Sequence, residues 1–335
     1  MSALPDPAAH LSVEEAEVVF GRLLDDAALP EQQIADYLVG LTERSETADE
    51  IAGAARALRA RLLPIDGPAD AIDVCGTGGD GYHTLNVSTA VSLVVAAAGV
   101  PVAKHGNRAA SSRAGAADTL EALGLDMEAA GRSAERTLNE LGICFLFAAN
   151  HHPAMGRIQP IRKRLGRRTI FNLMGPLCNP AGVASQLIGI ARPAYVPIYA
   201  AAKAMLGTRH TMIVAGDEGL DELSLAGGNE VAEVQGNSFE MRRLSVDVIG
   251  LPRASVEAIR GGDPSYNANR LRALLEGERD AYRDAVIFNA AAALHVAGRG
   301  TDWHERRDIA QASIDSGRAR TLLADWIAMA AEAKG

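Results

Sequence analysis

From Asp73 the chain reads Asp73-Val74-Cys75-Gly76-Thr77-Gly78-Gly79-Asp80-Gly81, and shortly afterwards Asn86-Val87-Ser88-Thr89 ahead of an Ala/Val-rich segment. An apolar strand that runs into four glycines and then into a helix start is suited to gripping an anion. Glycines let the backbone approach a ligand and adopt positive φ, and the exposed N–H groups bind phosphate oxygens. The same pattern also describes a tight strand-to-helix turn with no ligand. It matches neither GxGxxG nor GxxxxGK[ST], so neither a dinucleotide fingerprint nor a P-loop is supported. A second group is Lys104-His105-Gly106-Asn107-Arg108, followed by Ser111-Ser112-Arg113. With only four lysines against 29 arginines, a lysine at the end of a predicted strand implies that a compact point charge is needed there.

A third group, Asp221-Glu222, follows the predicted strand at 211–215. Adjacent carboxylates at a strand end read as magnesium ligands when phosphates lie nearby, and otherwise as an exposed acidic loop. The fourth is Arg162, inside a stretch (141–216) that has no acidic residue and nine Lys/Arg, six of them between Arg157 and Arg168. An unpaired arginine on a helix beside a cleft suits bidentate recognition of a carboxylate or phosphate. The basic stretch as a whole reads as a solvated helix face docked on an acidic region or as an electropositive lining for anions. Different faces of one helix can serve both.

The elements that must position these groups follow from periodicity. Residues 1–70 read as helices only. Ser12-x-x-Glu15 and Thr47-x-x-Glu50 are capping boxes, Pro30 opens a helix between them, and the third helix is predicted to run to about Leu63. Residues 64–68, with two prolines, mark a hinge or boundary. Beyond Ala71, short apolar runs at 72–75, 100–103, 144–147, 186–190 and 211–215 alternate with helical segments. That alternation predicts an α/β fold with a mostly parallel central sheet flanked by helices. Glu230–Glu233 and 238–243 suggest a hairpin, and Ala-rich helices complete the chain. In such sheets ligands bind at the carboxyl ends of the strands, which would set the glycine and lysine loops side by side.

Composition narrows the class. The 335 residues are 48% hydrophobic and 22% charged, typical of a globular chain, and the net charge is −9 with 4% aromatics. Nucleic-acid binders show basic patches or aromatic platforms instead. Residues 85–103, the longest charge-free apolar stretch, are interrupted by polar residues and by Gly99-Val100-Pro101, against a membrane span. No secretory pattern opens the chain, and three scattered cysteines without CxxC spacing point to a reducing cytoplasm. Residues 1–70 sum to −9 and 141–216 to +9, so parts of the two segments are expected to pack together.

Taken in order, GTGGDG, NVST, KHGNR with SS after it, HHPAM, IRKRLGRRTIFNLMGPLCNP and GLDELS resemble the anthranilate phosphoribosyltransferases over essentially the whole chain. The resemblance implies a small helical domain (1–68, completed by about 151–185) beside an α/β phosphoribosyl-pyrophosphate-binding domain (69–150 and 186–335), as in the nucleoside phosphorylases. It implies cytoplasmic homodimers associating through the helical domain, transfer of phosphoribosyl from phosphoribosyl pyrophosphate to anthranilate on the route to tryptophan, and two Mg2+ ions per site. By the resemblance, phosphoribosyl pyrophosphate is held by Gly76, Gly79, Asp80, Thr84, Asn86, Val87, Ser88 and Thr89, and by the loop Lys104, His105, Gly106, Asn107, Arg108, Ala109, Ala110, Ser111 and Ser112. Anthranilate contacts fall on Gly76, Asn107 and Arg162, with Arg162 facing the carboxylate, and metal ligands on Ser88, Asp221 and Glu222. Leu85, Ala116 and Tyr266 depart from the residues commoner in the family. His151 and His152 read as structural, and His105 is a candidate for proton transfer with no general acid or base assigned. The other readings are a pyrimidine nucleoside phosphorylase-like enzyme, which needs neither Arg162 nor Asp221-Glu222, and a non-catalytic nucleic-acid-binding relative, which would carry a basic charge and decayed motifs.

Overall fold

A computed structural model describes residues 4–109 and 113–333. The chain opens with three helices, α1 (Val13–Asp25), α2 (Glu31–Arg44) and α3 (Ala48–Arg59). Both capping boxes form: Glu15 N–H donates to the Ser12 hydroxyl and Glu50 N–H to that of Thr47, while each glutamate accepts from the cap backbone. Then come β1 (Ile72–Gly76), α4 (Val87–Ala97), β2 (Val102–Gly106), α5 (Ala116–Leu123), α6 (Met127–Arg132), α7 (Ala134–Leu141) and β3 (Ile143–Phe147). Two helices, α8 (Ala148–His151) and α9 (Met155–Leu165), precede β4 (Ser185–Gly189), α10 (Val196–Leu206) and β5 (Thr208–Gly216). A hairpin of β6 (Gly228–Gly236) and β7 (Ser238–Ser245) follows, then α11 (Pro264–Leu275), α12 (Ala281–Val296), α13 (Trp303–Asp315) and α14 (Arg318–Glu332).

The strands form one seven-stranded sheet in the order β3-β2-β1-β4-β5-β6-β7. Pairing is parallel from β3 through β5, and β6 and β7 add antiparallel. The central strands are buried on both faces and largely apolar, with Asp73, Lys104, His105 and Gln186 as buried exceptions. Leu187, Met212 and Val214 point into a core with α4 and α12, while Ile188, Ile213 and Ala215 point into a second core on the opposite face. That second core is continuous with the N-terminal helices. Phe20 stacks edge-on against Phe171 at 5.9 Å and Tyr37 at 6.5 Å, and Ile158, Ile161 and Ile170 join the same cluster. So α9 and the turn after it pack on α1 and α2. Charge follows apolar packing: Arg164 pairs with Glu31, Arg167 with Glu43 at 2.9 Å, and Arg157 caps the Asp26 and Leu29 carbonyls.

Two boundaries differ from the periodicity. The third helix stops at Arg59, because Leu63 N–H bonds His151 O and Ile65 N–H bonds Pro180 O, drawing the chain onto the later segment. The second strand lies later than predicted, at Val102–Gly106, so Lys104 and His105 are strand residues and buried. Among the described residues no helix is long and apolar enough to cross a membrane.

Because the helical segments are held by apolar contact, Phe20→Ala should lower stability in urea by about 3–5 kcal/mol. The exposed Arg164–Glu31 pair should contribute about 0–1 kcal/mol when Arg164 is replaced by alanine. The opposite ranking would mean that charge, not packing, holds α9 in place.

Candidate functional site

The carboxyl ends of β1, β2, β4 and β5 form the floor of a cleft. After β1, Gly78, Gly79 and Gly81 have φ of +67°, +78° and +82°, backbone that side chains disfavour. Gly76 and Gly189 are required for another reason. A Cβ on Gly76 would lie 2.3 Å from Asp221 Oδ2, and one on Gly189 1.6 Å from the Asp221 carbonyl oxygen. The acidic loop therefore rests directly on the strand ends. Gly78 N–H donates to Asp221 Oδ2 at 2.7 Å and Ser88 N–H to Glu222 Oε1 at 3.2 Å, so both carboxylates meet the glycine loop and the first turn of α4. From behind, buried Asn289 of α12 clamps the Leu223 backbone through N–H and C=O, at 2.9 and 3.0 Å.

Burial pushes both carboxyls well above their ordinary range. Asp80 adds to this at Asp221, and Asp221 adds to it at Glu222. The donors here, Asp80, Asp221, Glu222 and the Ser88 hydroxyl, are hard oxygens that fit Mg2+. The only trio of His, Cys, Asp or Glu among the described residues with all ligand atoms within 4.8 Å lies elsewhere. These carboxylates would therefore share a cation with a ligand's own oxygens rather than enclose it.

Behind the carboxylates, Lys104 Nζ donates to Val74 O at 2.8 Å and to Ser88 Oγ at 3.1 Å. Burial lowers its pKa, and Asp73, Cys75 and Glu222 counter that. Thr89 Oγ1, in the first turn of α4, is buried with no hydrogen-bond partner among the described residues, as an atom awaiting a ligand would be. Val87 contributes only backbone, its side chain lying in the core. Asn86, expected to contact substrate, is already engaged: its Oδ1 accepts from Thr119 at 2.5 Å and Asn267 at 2.9 Å, and its Nδ2 donates to Ala114 O at 3.3 Å. Thr84 forms a bridge to Arg260. Arg108, also expected at the phosphates, pairs with Glu121 and Asp118 and lies over Phe147. The neighbouring Ala109 N–H caps Asp118 at 2.9 Å. Ala110, Ser111 and Ser112 lie outside the described residues.

Beside this polar end is a cavity of about 190 Å³, lined by His105, Asn107, Met155, Arg162, Phe171 and Met174 among others. A benzene ring is accommodated in roughly 150 Å³. Among the described residues Arg162 has no carboxylate partner: Nη2 donates to Asn172 Oδ1 at 3.2 Å, Nε is buried and unsatisfied, and burial lowers its pKa. An apolar cavity with one under-partnered guanidinium suits a small aromatic acid. Gly76 does not line it and sits at the carboxylate end. His105 Nδ1 donates to Gly175 O at 2.9 Å and its Nε2 is 3.3 Å from His152 Nε2, while His151 Nδ1 donates to Leu63 O at 2.9 Å. Burial lowers the pKa of both His105 and His152. Two residues of the site were not singled out in the sequence: Arg168, counted only in the basic cluster, whose Nη1 reaches the Gly78 and Gly79 carbonyls at 3.3 and 3.2 Å, and Asn289.

Residues 68–320 match the glycosyl transferase family a/b domain, and residues 7–62 match that family's helical bundle domain. An anthranilate phosphoribosyltransferase of Erythrobacter litoralis is 71% identical over 330 residues, covering 98% of this chain and 100% of that protein. The crystal structure of anthranilate phosphoribosyltransferase from Thermus thermophilus matches with a TM-score of 0.92 at 41% identity, covering 99% of this chain and 100% of that one. The Saccharomyces cerevisiae enzyme in complex with PRPP and Mg matches with a TM-score of 0.84 at 29% identity, covering 96% of this chain and 93% of that one.

The glycine contact can be tested directly. Gly189→Ala should force the Asp221 backbone off the strand ends, lowering stability by about 1–3 kcal/mol in denaturant and abolishing turnover. A variant with parental stability and activity would show that the loop is not fixed there.

Proposed function

The chain belongs to the anthranilate phosphoribosyltransferase family, and from that premise we propose how its residues divide the work. The enzyme transfers the 5-phosphoribosyl group of phosphoribosyl pyrophosphate to the amine of anthranilate and releases pyrophosphate, a step of tryptophan biosynthesis. The C1′–oxygen bond to pyrophosphate breaks, a C1′–nitrogen bond forms, and the amine loses one proton. Positive charge grows on the ribose and negative charge on the leaving group. A neutral aromatic amine needs no strong base, so the task is positioning and stabilisation of the departing charge.

In this reading the glycine-loop amides, Thr89 and the first turn of α4 receive phosphate oxygens, and buried Lys104 keeps that end electropositive. Gly76, Gly79, Asp80, Thr84 and the backbone of 104–109 take the ribose and phosphates with them. Asn86 acts by holding the 114–119 turn against α4. Asp80, Ser88, Asp221 and Glu222 would hold Mg2+, two ions per site, which when bound neutralises the pyrophosphate. Asn107 and Arg162 take anthranilate, Arg162 by its carboxylate. His105 walls the cavity with both ring nitrogens engaged, which leaves it a weak candidate for the amine proton.

The helical domain comprises 1–68 completed by 151–185, and the rest forms the α/β domain. Exposed Val18 and Leu63, at 65% and 54%, support a homodimer through the helical face. Three buried free cysteines suit a reducing cytoplasm.

The observation that carries this assignment is the Arg162 guanidinium, with its Nε buried and unpartnered among the described residues, on the wall of an aromatic-sized cavity. Pyrophosphate release from phosphoribosyl pyrophosphate should depend on added anthranilate; release indifferent to anthranilate would remove the assignment of the cavity. Arg162→Ala should raise the anthranilate KM about ten- to a hundred-fold and spare phosphoribosyl pyrophosphate affinity, reflecting about 1.5–3 kcal/mol for a charged hydrogen bond. Unchanged anthranilate binding by calorimetry would place the carboxylate elsewhere. Replacing Asp221 and Glu222 by their amides should cut activity steeply and shift magnesium saturation upward, whereas an unaltered magnesium dependence would make the pair an ordinary acidic loop.

A further inference from the structure

At the opposite end of the sheet, three residues from three elements converge: His210 of β5, Glu233 of β6 and His295 of α12. Their ligand atoms all lie within 4.8 Å of one another. Glu233 Oε1 stands 2.9 Å from His210 Nε2 and 2.8 Å from His295 Nε2, so both imidazoles address one oxygen. The placement has a local cause. The β5–β6 register shifts between Thr208 and Thr211, and such irregularities re-aim side chains. Beyond it Met212 pairs with Glu233, so His210, two residues before Met212, shares the face that α12 covers. His295, in the last turn of α12, fills the rim where that helix leaves the sheet. Its ring meets His210 at 4.9 Å and Trp303 at 5.5 Å, which fixes its orientation.

The surroundings are half-buried. Arg242 Nε lies 3.4 Å from the other side of Glu233, at Oε2, and its side chain is 56% exposed, free to swing away. Arg306 is occupied by the Arg299 and Gly300 carbonyls and by Trp303. Burial lowers the His295 pKa, which favours the neutral imidazole that can bind a metal. Burial acts on Glu233 in the opposite sense, but the two histidines and Arg242 hold its carboxyl below the usual value and keep it ionised.

We propose that His210, Glu233 and His295 form a second metal site, for a divalent transition ion of the zinc class, with water in the remaining position. Two imidazole nitrogens and one carboxylate are the ligand set of such ions and a poor one for Mg2+, whose preferred donors are oxygens. His210 lies six residues of strand, about 20 Å, from Gly216, where the loop that carries Asp221 begins. The site joins β5, β6 and α12, the helix whose Asn289 clamps that loop. Its role is therefore structural, tying the helix behind the catalytic loop to the edge of the sheet.

The test uses the full chain, stripped with a chelator and then kept in excess Mg2+, and titrated with Co2+. The parent should bind one Co2+ per chain with the intense visible absorption of a low-coordinate nitrogen/oxygen site, and its melting temperature should rise. Asp221→Asn/Glu222→Gln should keep that signal, which separates this site from the magnesium pair. His295→Ala and the size-conserving Glu233→Gln should each weaken uptake by about 100-fold, with turnover under Mg2+ unchanged. A parent that shows only the spectrum of hydrated Co2+ overturns the proposal whatever the variants do. Equal uptake by the parent and a folded Glu233→Gln variant overturns it as well.

Discussion

The contact on which the site depends is an absence of side chains. Asp221 lies so close to the ends of β1 and β4 that no Cβ fits at Gly76 or Gly189, although neither glycine has positive φ. Space, rather than backbone conformation, demands glycine at these two positions. Once the loop is seated, its geometry is overdetermined. Leu220 and Leu223 are buried beside the carboxylates, Asn289 holds the backbone from α12, and Gly78 and Ser88 donate to the acids from above. Two carboxylates that water would favour are thereby kept where burial raises their pKa, a cost that a bound cation would relieve.

A buried polar network under the floor supplies the complementary sign. Asp73 is fully buried and accepts from His105 N–H at 3.1 Å, from Cys75 Sγ and from Gln186. Gln186 in turn accepts from buried Lys203 at 2.5 Å, while Lys104 reaches up to Ser88. One carboxylate thus sits among two lysines beneath the sheet's carboxyl edge. Burial lowers the Lys203 pKa to about 8, the expected response of an ammonium group with only a neutral hydrogen-bond partner. Such a network is stable only when its members are satisfied, and here each lysine has an acceptor. The result is fixed positive charge under the phosphate end, in place before any ligand arrives.

Local sequence carried much of this architecture. Capping boxes, alternating strands and the glycine loop depend on neighbours a few residues apart, and all appear where the pattern put them, within a few residues at the ends. Arg162 and the Asp221-Glu222 pair were legible because an acid-free stretch and adjacent carboxylates are unusual in themselves. Asn86 and Arg108 show the limit. Residue type announces hydrogen-bonding capacity, but not that Thr119, Asn267 and Ala114 will use up Asn86, or Glu121 and Asp118 Arg108. Arg168, seen only as part of a basic cluster, and Asn289 could not be singled out for the converse reason: their partners lie 89 and 66 residues away, and nothing local marks the meeting.

The basic segment resolves the ambiguity its composition posed. On α9, Arg157 and Arg164 are seven residues apart and share a face, and both turn to α1 and α2. Arg162, rotated roughly 140° from Arg157 at about 100° per residue, faces the cavity instead. Arg168, beyond the helix, crosses to the glycine loop. Docking and the lining of the cavity are therefore carried by alternate faces of one short segment, and its apolar side is fixed by Phe20 against Phe171. The position of the Arg162 guanidinium is set by how the N-terminal helices pack. A substitution in that core therefore shifts the Arg162 guanidinium through the helix it displaces, and docking and the cavity lining of this segment cannot be varied independently.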